Sequence, residues 1–92
     1  MNKILLIEDD VTVRENTAEL LELSGYEVIT ASNGKQGVEK AHEYHPDIIV
    51  CDIMMPEMDG YGVLQELSKE LQTVNVPFIF LSAKTEHKDI RK

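Results

Sequence analysis

The sequence is poor in residues that build covalent or metal-based cross-links. It has 92 residues, no tryptophan and one cysteine, Cys51. One cysteine cannot form an internal disulfide, and the three histidines, His42, His45 and His87, show no ligand spacing, so no zinc site is expected. We predict that Cys51 lies in the core and the histidines at the surface. This composition is typical of a reducing compartment, and we expect a cytoplasmic location.

Positive charge is also scarce. Nine Lys and Arg residues stand against seventeen Asp and Glu residues, which gives a net charge of −8. Such a charge repels the phosphate backbone of nucleic acids and the headgroups of anionic lipids. We therefore expect this segment to bind neither nucleic acid nor a membrane surface directly.

Long apolar runs and linker-like stretches are missing as well. The apolar run ILLI near the start is followed at once by acids, and is too short for a signal-peptide core or a membrane span. No repeat, low-complexity tract or run of Gly, Ser or Pro divides the chain. We expect one small domain over residues 1–92.

Short apolar runs alternate along the chain with segments of helical periodicity. Strands are predicted at Ile4 to Ile7, Tyr26 to Ala31 (an edge strand), Ile48 to Cys51, and Phe78 to Leu81. Helical faces are predicted for Val13, Thr17, Leu20 and Leu21, for Gly37, Val38 and Ala41 within Lys35 to Tyr44, and for Val63, Leu64, Leu67 and Leu71. Strands that alternate with crossover helices form a parallel sheet covered by helices, so the predicted fold class is α/β.

Boundary signals flank the predicted helices. Asp10 and Asp59 are predicted N-caps, because their side chains can accept hydrogen bonds from the first helical turn. Gly25 is predicted to end the first helix. A turn is predicted at Asn33-Gly34, between the second strand and the second helix.

Polar side chains follow the ends of three predicted strands. Glu8, Asp9 and Asp10 follow the first strand, Asp52 the third and Ser82 the fourth. The carboxyl ends of parallel strands meet at one edge of a sheet, so these groups should converge there. Clustered carboxylates repel each other unless a cation lies among them, and ligands that are all oxygen favour Mg²⁺. The sequence therefore predicts a magnesium site at this edge.

Each of these residues also has a simpler interpretation. Asp10 is better explained as a helix cap than as a ligand. Glu8 and Asp9 end a buried strand, where an unpaired charge is costly, so a metal role is favoured over a solvated rim. Asp52 is either a turn residue or a functional residue. For Ser82, a hydroxyl at a strand end with no functional role is the commoner case. For Met54, Met55 and Met58, both adaptable packing and a partner surface remain open.

Three segments, in this order and at these separations, resemble a known family. ILLIEDD, DIIVCDIMMPEMDG and VPFIFLSAK are together similar to the receiver domain of bacterial two-component response regulators, and the resemblance runs from residue 2 to about residue 90. It implies a flavodoxin-like, doubly wound sheet of strand order 2-1-3-4-5. Because the family's fifth strand and fifth helix have no counterpart in residues 1–92, the expected order here is 2-1-3-4, in a receiver domain shortened at its C-terminus.

The resemblance also implies a role for each matching residue. Asp52 corresponds to the phosphoacceptor. Asp9, Asp52 and the main-chain carbonyl of Met54 would bind Mg²⁺ directly, and Glu8 would act through a water molecule. The remaining matches are Ser82, the switch hydroxyl, Ala83, the small residue that leaves room for the phosphoryl group, and Met54 and Lys84, positions that would tune hydrolysis.

The implied activity is that of a phosphoacceptor and not of an enzyme. A sensor histidine kinase or a phosphotransfer protein would donate the phosphoryl group, slow self-dephosphorylation would remove it, and an output domain or partner protein would respond. The family's lysine and aromatic switch residue on the fifth strand have no match, and Lys84 occupies a variable position. We expect residues 1–92 alone to be phosphorylated slowly or not at all, and to self-associate through the fourth strand.

Two other functions are compatible with parts of the sequence. One is an interaction module that resembles a receiver domain but is not phosphorylated. The other is a Mg²⁺-dependent phosphohydrolase of the haloacid dehalogenase type, which also uses an Asp nucleophile after a buried strand. That family has a second Asp two residues later, where Met54 stands here.

Overall fold

The fold is a parallel sheet with helices on both faces. A computed structural model describes residues 2–81. The elements in that range are β1 Lys3–Ile7, α1 Val11–Leu23, β2 Glu27–Ala31, α2 Gly34–Tyr44, β3 Ile48–Asp52, α3 Gly60–Ser68 and β4 Phe78–Leu81. All strand pairs are parallel, and the order is β2-β1-β3-β4. The predicted α/β class, strand order and edge position of β2 are confirmed, whereas the expected lack of a fifth strand concerns residues beyond the described range.

The core lies mainly between the sheet and the helices α2 and α3. β1 pairs with β2 on one side and with β3 on the other, and its four apolar residues are buried, as its unbroken apolar run predicted. Alternate strand residues point to this face and meet the helices in one cluster. The buried members are Leu5, Ile7, Ala31, Ala41, Ile49, Cys51, Met55, Val63 and Leu67.

Helix α2 lies very close to β1. A Cβ atom on Gly37 would come within 2.4 Å of Ile7 Cδ1, so a residue without a side chain is needed at that contact. The helix begins where Asn33 accepts a hydrogen bond from the Gln36 amide at 2.8 Å. The predicted turn at Asn33-Gly34 is thus the N-terminus of α2, which includes Gly34.

Helix α1 lies on the opposite face of the sheet and is less buried. Asp10 caps it by accepting a hydrogen bond from the Val13 amide at 3.0 Å, as predicted. Val13, Thr17 and Leu21, spaced by four residues, are half-buried. The prediction that Leu20 shares this face is wrong, because Leu20 is 65% exposed: it lies one position away from the row that contacts the sheet.

Helix α3 is shorter than its apolar pattern predicted. It ends at Ser68, and Leu71 is 94% exposed, so Leu71 does not belong to the buried face. The buried Thr73 hydroxyl donates to the Leu67 carbonyl at 2.6 Å, which satisfies an acceptor that a continuing helix would have used. No helix in residues 2–81 is long and apolar enough to cross a membrane.

Candidate functional site

The carboxyl ends of β1 and β3 bring three acidic residues together. Asp52 is the last residue of β3, and Glu8 and Asp9 follow β1 directly. Ile7 lies opposite Cys51 in the parallel register. The residues that follow them in the chain, Glu8 and Asp52, therefore lie side by side at the sheet edge. One carboxylate oxygen from each of the three acids lies within 4.8 Å of the others. The predicted convergence is therefore present.

Two of these carboxylates are almost completely removed from solvent. Glu8 is 0% exposed and Asp52 is 1% exposed, whereas Asp9 is half-buried. All three take part in further interactions within the protein. Burying several negative charges together is unfavourable unless positive charge compensates them. A donor set made of closely spaced carboxylate oxygens fits a hard divalent cation such as Mg²⁺.

Glu8 is held in place by its own main chain and by its neighbours. Its amide donates to the Ala31 carbonyl at 3.0 Å, which continues the β1–β2 pairing by one residue. Its Oε2 atom accepts a hydrogen bond from the Asp10 amide at 2.9 Å. Its carbonyl accepts one from Arg14 Nη1 at 2.8 Å. Sequence reasoning missed Arg14, since no motif links this helical residue to the strand end.

The loop after β3 separates the three methionines into two groups. Met55 is buried and Met58 is half-buried against the core, so these two pack. Met54, two residues after Asp52, is 45% exposed, so packing in the core does not account for it. Glu57 has a φ angle of 71°, which an L-residue adopts at some cost and which marks a tightly constrained turn.

The start of α3 lies directly against the end of β3. A Cβ atom on Gly60 would lie 2.6 Å from the Asp52 carbonyl, closer than real Cβ contacts come. The Gly60 amide donates to the Ile53 carbonyl at 2.8 Å, and Asp59 caps the helix through the Gly62 amide at 2.9 Å. A residue without a side chain is therefore needed at position 60 for α3 to approach the end of β3, and the only sequence signal for Gly60 was its place after the predicted cap.

Cys51 is a core residue, as predicted. It is 0% exposed, and its thiol donates to the Asp52 carbonyl at 3.2 Å. Burial, together with the nearby negative charges of Asp52 and Glu8, raises the pKa of the Cys51 thiol to about 12. The thiol therefore stays protonated and weakly nucleophilic at neutral pH.

Several predicted site residues fall outside the described range. They are Ser82, Ala83 and Lys84. His87, which is predicted to lie at the surface, also falls outside that range. Of the other two histidines, His45 is exposed as predicted and ends α2 with a left-handed φ of 51°, whereas His42 is half-buried.

Comparison with known proteins identifies a family. The response regulator receiver domain family matches residues 4–92. A probable transcriptional regulator ycf27 from Pyropia yezoensis is 46% identical over 81 residues, which cover 88% of this chain and 32% of that protein. The alkaline phosphatase synthesis transcriptional regulatory protein PhoP of Bacillus subtilis is 40% identical over 87 residues, which cover 95% of this chain and 35% of that protein. The chain thus spans about a third of the length of these relatives.

Solved structures agree with this match. The receiver domain of a sensor histidine kinase from Pseudomonas aeruginosa, solved with a magnesium ion coordinated in the active site cleft, has a TM-score of 0.86 and 30% identity, over 99% of this chain and 75% of that one. The chemotaxis protein CheY4 of Vibrio cholerae has a TM-score of 0.85 and 29% identity, over 98% of this chain and 80% of that one. With its parallel sheet and its acidic residues at the ends of β1 and β3, this chain belongs to the receiver domain family of two-component response regulators.

Proposed function

We propose that Asp52 is the phosphoacceptor of this receiver domain. The observation that carries the proposal is the placement of the Asp52 carboxylate within 4.8 Å of two other acidic side chains, at the end of a buried parallel strand. The phosphoryl donor would be a phosphohistidine of a sensor histidine kinase or of a phosphotransfer protein. Membership of the receiver domain family supports such a partner.

The reaction is a transfer of one phosphoryl group between two side chains. A carboxylate oxygen of Asp52 attacks phosphorus, an O–P bond forms, and the N–P bond of the donor phosphohistidine breaks. The electron pair of that bond remains on the imidazole nitrogen. Later attack of water on phosphorus releases inorganic phosphate and restores the Asp52 carboxylate. The domain thus acts as a phosphoacceptor with slow self-dephosphorylation and not as an enzyme that turns over a free substrate.

Both reactants in this transfer are anionic. Asp9 and Asp52, with the main-chain carbonyl of Met54, would bind Mg²⁺ directly, and Glu8 would hold one of its water ligands. The ion, when bound, supplies positive charge that offsets the repulsion between the carboxylate and the phosphoryl oxygens. The burial of Glu8 and Asp52 supports this assignment, because electrostatic interactions are stronger where water is excluded.

The proposal is tested by phosphorylation of the protein at its full natural length. With Mg²⁺ and acetyl phosphate we expect one added phosphoryl group by intact mass, located at Asp52 by peptide mapping. Asp52→Asn should abolish it and EDTA should suppress it. Asp59→Asn, a matched control that removes a nearby exposed carboxylate but keeps a capping residue, should be labelled like wild type.

Two results would overturn the assignment. Labelling that persists in Asp52→Asn would place the acceptor elsewhere. Wild-type protein that binds its kinase but takes up no phosphoryl group from either donor would instead indicate an interaction module that is not phosphorylated. A cytoplasmic location remains an expectation of this function.

We also propose that the 92-residue chain pairs with a second copy through β4. Among residues 2–81, β4 pairs with β3 along one of its edges, and residues 76–81 carry no charge. Ile79 is 50% exposed beside a groove of about 530 Å³ that Ile48 and Val50 also line. An uncharged apolar edge is a template for strand pairing, and a second copy would cover both the edge and the groove.

Sedimentation at several concentrations tests this pairing. We expect a dimer for wild type and a monomer for Ile79→Lys, because a charge on the exposed edge opposes strand pairing. Leu71→Lys, which adds the same charge at an exposed apolar residue outside β4, should remain dimeric. A wild-type chain that is monomeric at every concentration would show that β4 is not an interface between copies.

A further inference from the structure

A cationic side chain supports the acidic cluster from helix α1. Arg14 is half-buried, and its Nη1 atom donates a hydrogen bond of 2.8 Å to the main-chain carbonyl of Glu8. The Arg14 amide also donates to the Asp10 carbonyl at 2.9 Å, as part of the first turn of α1. Arg14 therefore joins the helix to the strand end at the point where the two acidic residues begin.

The orientation of the Glu8 carbonyl affects the positions of both acidic residues that follow β1. The peptide unit that contains it also contains the Asp9 amide, so its orientation sets the direction in which the chain enters Asp9. The Glu8 amide is held by the Ala31 carbonyl, and the Glu8 Oε2 atom is held by the Asp10 amide. The hydrogen bond from Arg14 fixes the remaining main-chain group and completes this set.

We propose that Arg14 is a positioning residue for the metal-binding acids. Its guanidinium orients the peptide between Glu8 and Asp9, and so holds their carboxylates at the spacing that a divalent cation requires. The inference rests on the proposed function only in assuming that the acidic cluster binds Mg²⁺. Arg14 itself touches neither the cation nor the phosphoryl group. Groups that orient metal ligands in this indirect way commonly change metal affinity by about 10-fold or more when they are removed.

Charge alone predicts the opposite effect. Arg14 carries a positive charge beside the acidic cluster, and like charges repel, so its removal should strengthen the binding of a cation. A positioning role predicts that removal weakens the binding. The sign of the change in Mg²⁺ affinity therefore separates the two roles.

The test is a Mg²⁺ titration of the protein followed by amide NMR resonances, with the fraction folded measured by urea denaturation. Arg14→Met keeps an unbranched apolar stem and removes the donor, and we expect its Mg²⁺ affinity to fall about 10-fold. Arg14→Lys keeps a charged donor and should recover most of the affinity. Lys40→Met is the matched control, because Lys40 also donates to a strand carbonyl, that of Thr30 at 2.7 Å, and lies on α2.

The outcomes are distinguishable. A wild-type protein that does not bind Mg²⁺ would refute the metal site itself, and with it the proposed function. A wild-type protein that binds Mg²⁺, with Arg14→Met binding equally well or more tightly, would refute the role of Arg14 alone. If Arg14→Met does not fold, Arg14→Leu, which also removes the donor and keeps an apolar stem, takes its place, and an affinity equal to that of Arg14→Lys would overturn the inference.

Discussion

Removing one charge from the acidic cluster should make the metal-free protein more stable. Asp52→Asn keeps nearly the same shape at a site that is 1% exposed, but it removes the repulsion of Asp52 by Glu8 and by Asp9. The same change removes a carboxylate that Mg²⁺ would bind. We therefore expect a higher free energy of unfolding in EDTA and a smaller increase of that energy when Mg²⁺ is added.

The size of the gain follows from the geometry. Two unit charges at 4.8 Å repel by roughly 3.5 kcal/mol at an effective dielectric constant of about 20, and by roughly 0.9 kcal/mol in water. The repulsion between Asp52 and the buried Glu8 should be nearer the larger of these energies. The repulsion between Asp52 and the half-buried Asp9 should be nearer the smaller one. Because Asp52 takes part in other interactions that the amide weakens, we expect a net gain of about 1 to 3 kcal/mol.

Urea denaturation at neutral pH and low salt, in EDTA and in Mg²⁺, measures both effects. Wild type should gain stability with Mg²⁺ by mass action, and Asp52→Asn should lose most of that response. Asp59→Asn serves as the control, since it removes an exposed charge and keeps a good cap, so its stability should change by less than about 0.5 kcal/mol. An Asp52→Asn protein that is less stable than wild type in EDTA, or that keeps the full Mg²⁺ response, would refute the reasoning.

Two further predictions concern residues next to Asp52. Gly60→Ala should lower the free energy of unfolding by about 1 to 3 kcal/mol and weaken Mg²⁺ binding, because the added Cβ would press on the Asp52 carbonyl. Urea denaturation measures the first effect and NMR titration with Mg²⁺ measures the second. Cys51 should resist thiol reagents at pH 8 until the protein unfolds. The pKa of the Cys51 thiol is about 12 in the folded protein and 9.0 ordinarily, so the contribution of this thiol to stability is complete below pH 9 and falls as the pH rises toward 12. Cys51→Ala should lack this part of the pH dependence.

Strands were easier to predict from this sequence than helix lengths. The apolar runs at β1 and β3 are followed by the acids Glu8 and Asp52, and the run at β4 is preceded by Pro77, so local chemistry marks a boundary of each run. The end of α3 coincides instead with a hydrogen bond that the Thr73 hydroxyl donates to the Leu67 carbonyl, six residues earlier. The apolar period continued to Leu71 in sequence, but periodicity does not show where such a contact stops a helix.

The acidic site could be predicted because it depends on topology alone. Parallel strands place their carboxyl ends on one edge, so Glu8, Asp9 and Asp52 follow from the strand positions. The supporting contacts could not be predicted in the same way. Arg14 acts through a main-chain carbonyl six residues earlier, and Gly60 through a close approach of two backbones, and neither contact has a residue pattern of its own.

The balance of energies indicates which part of the molecule responds to charge at Asp52. Burying one large apolar side chain stabilises a fold by about 1.5 to 3 kcal/mol. The core holds several such side chains between β1, β3 and the helices. Repulsion of about 3 kcal/mol between the carboxylates at the strand ends is therefore too small to separate the strands. The loop after β3 resists less, because four of its residues, Met54, Pro56, Glu57 and Asp59, are exposed and contribute little to the core. A cation or a phosphoryl group at Asp52 should therefore leave the sheet unchanged and shift the loop over residues 53–59. Met54 is exposed in that loop, so a change of charge at the buried site would become a change of shape at the surface.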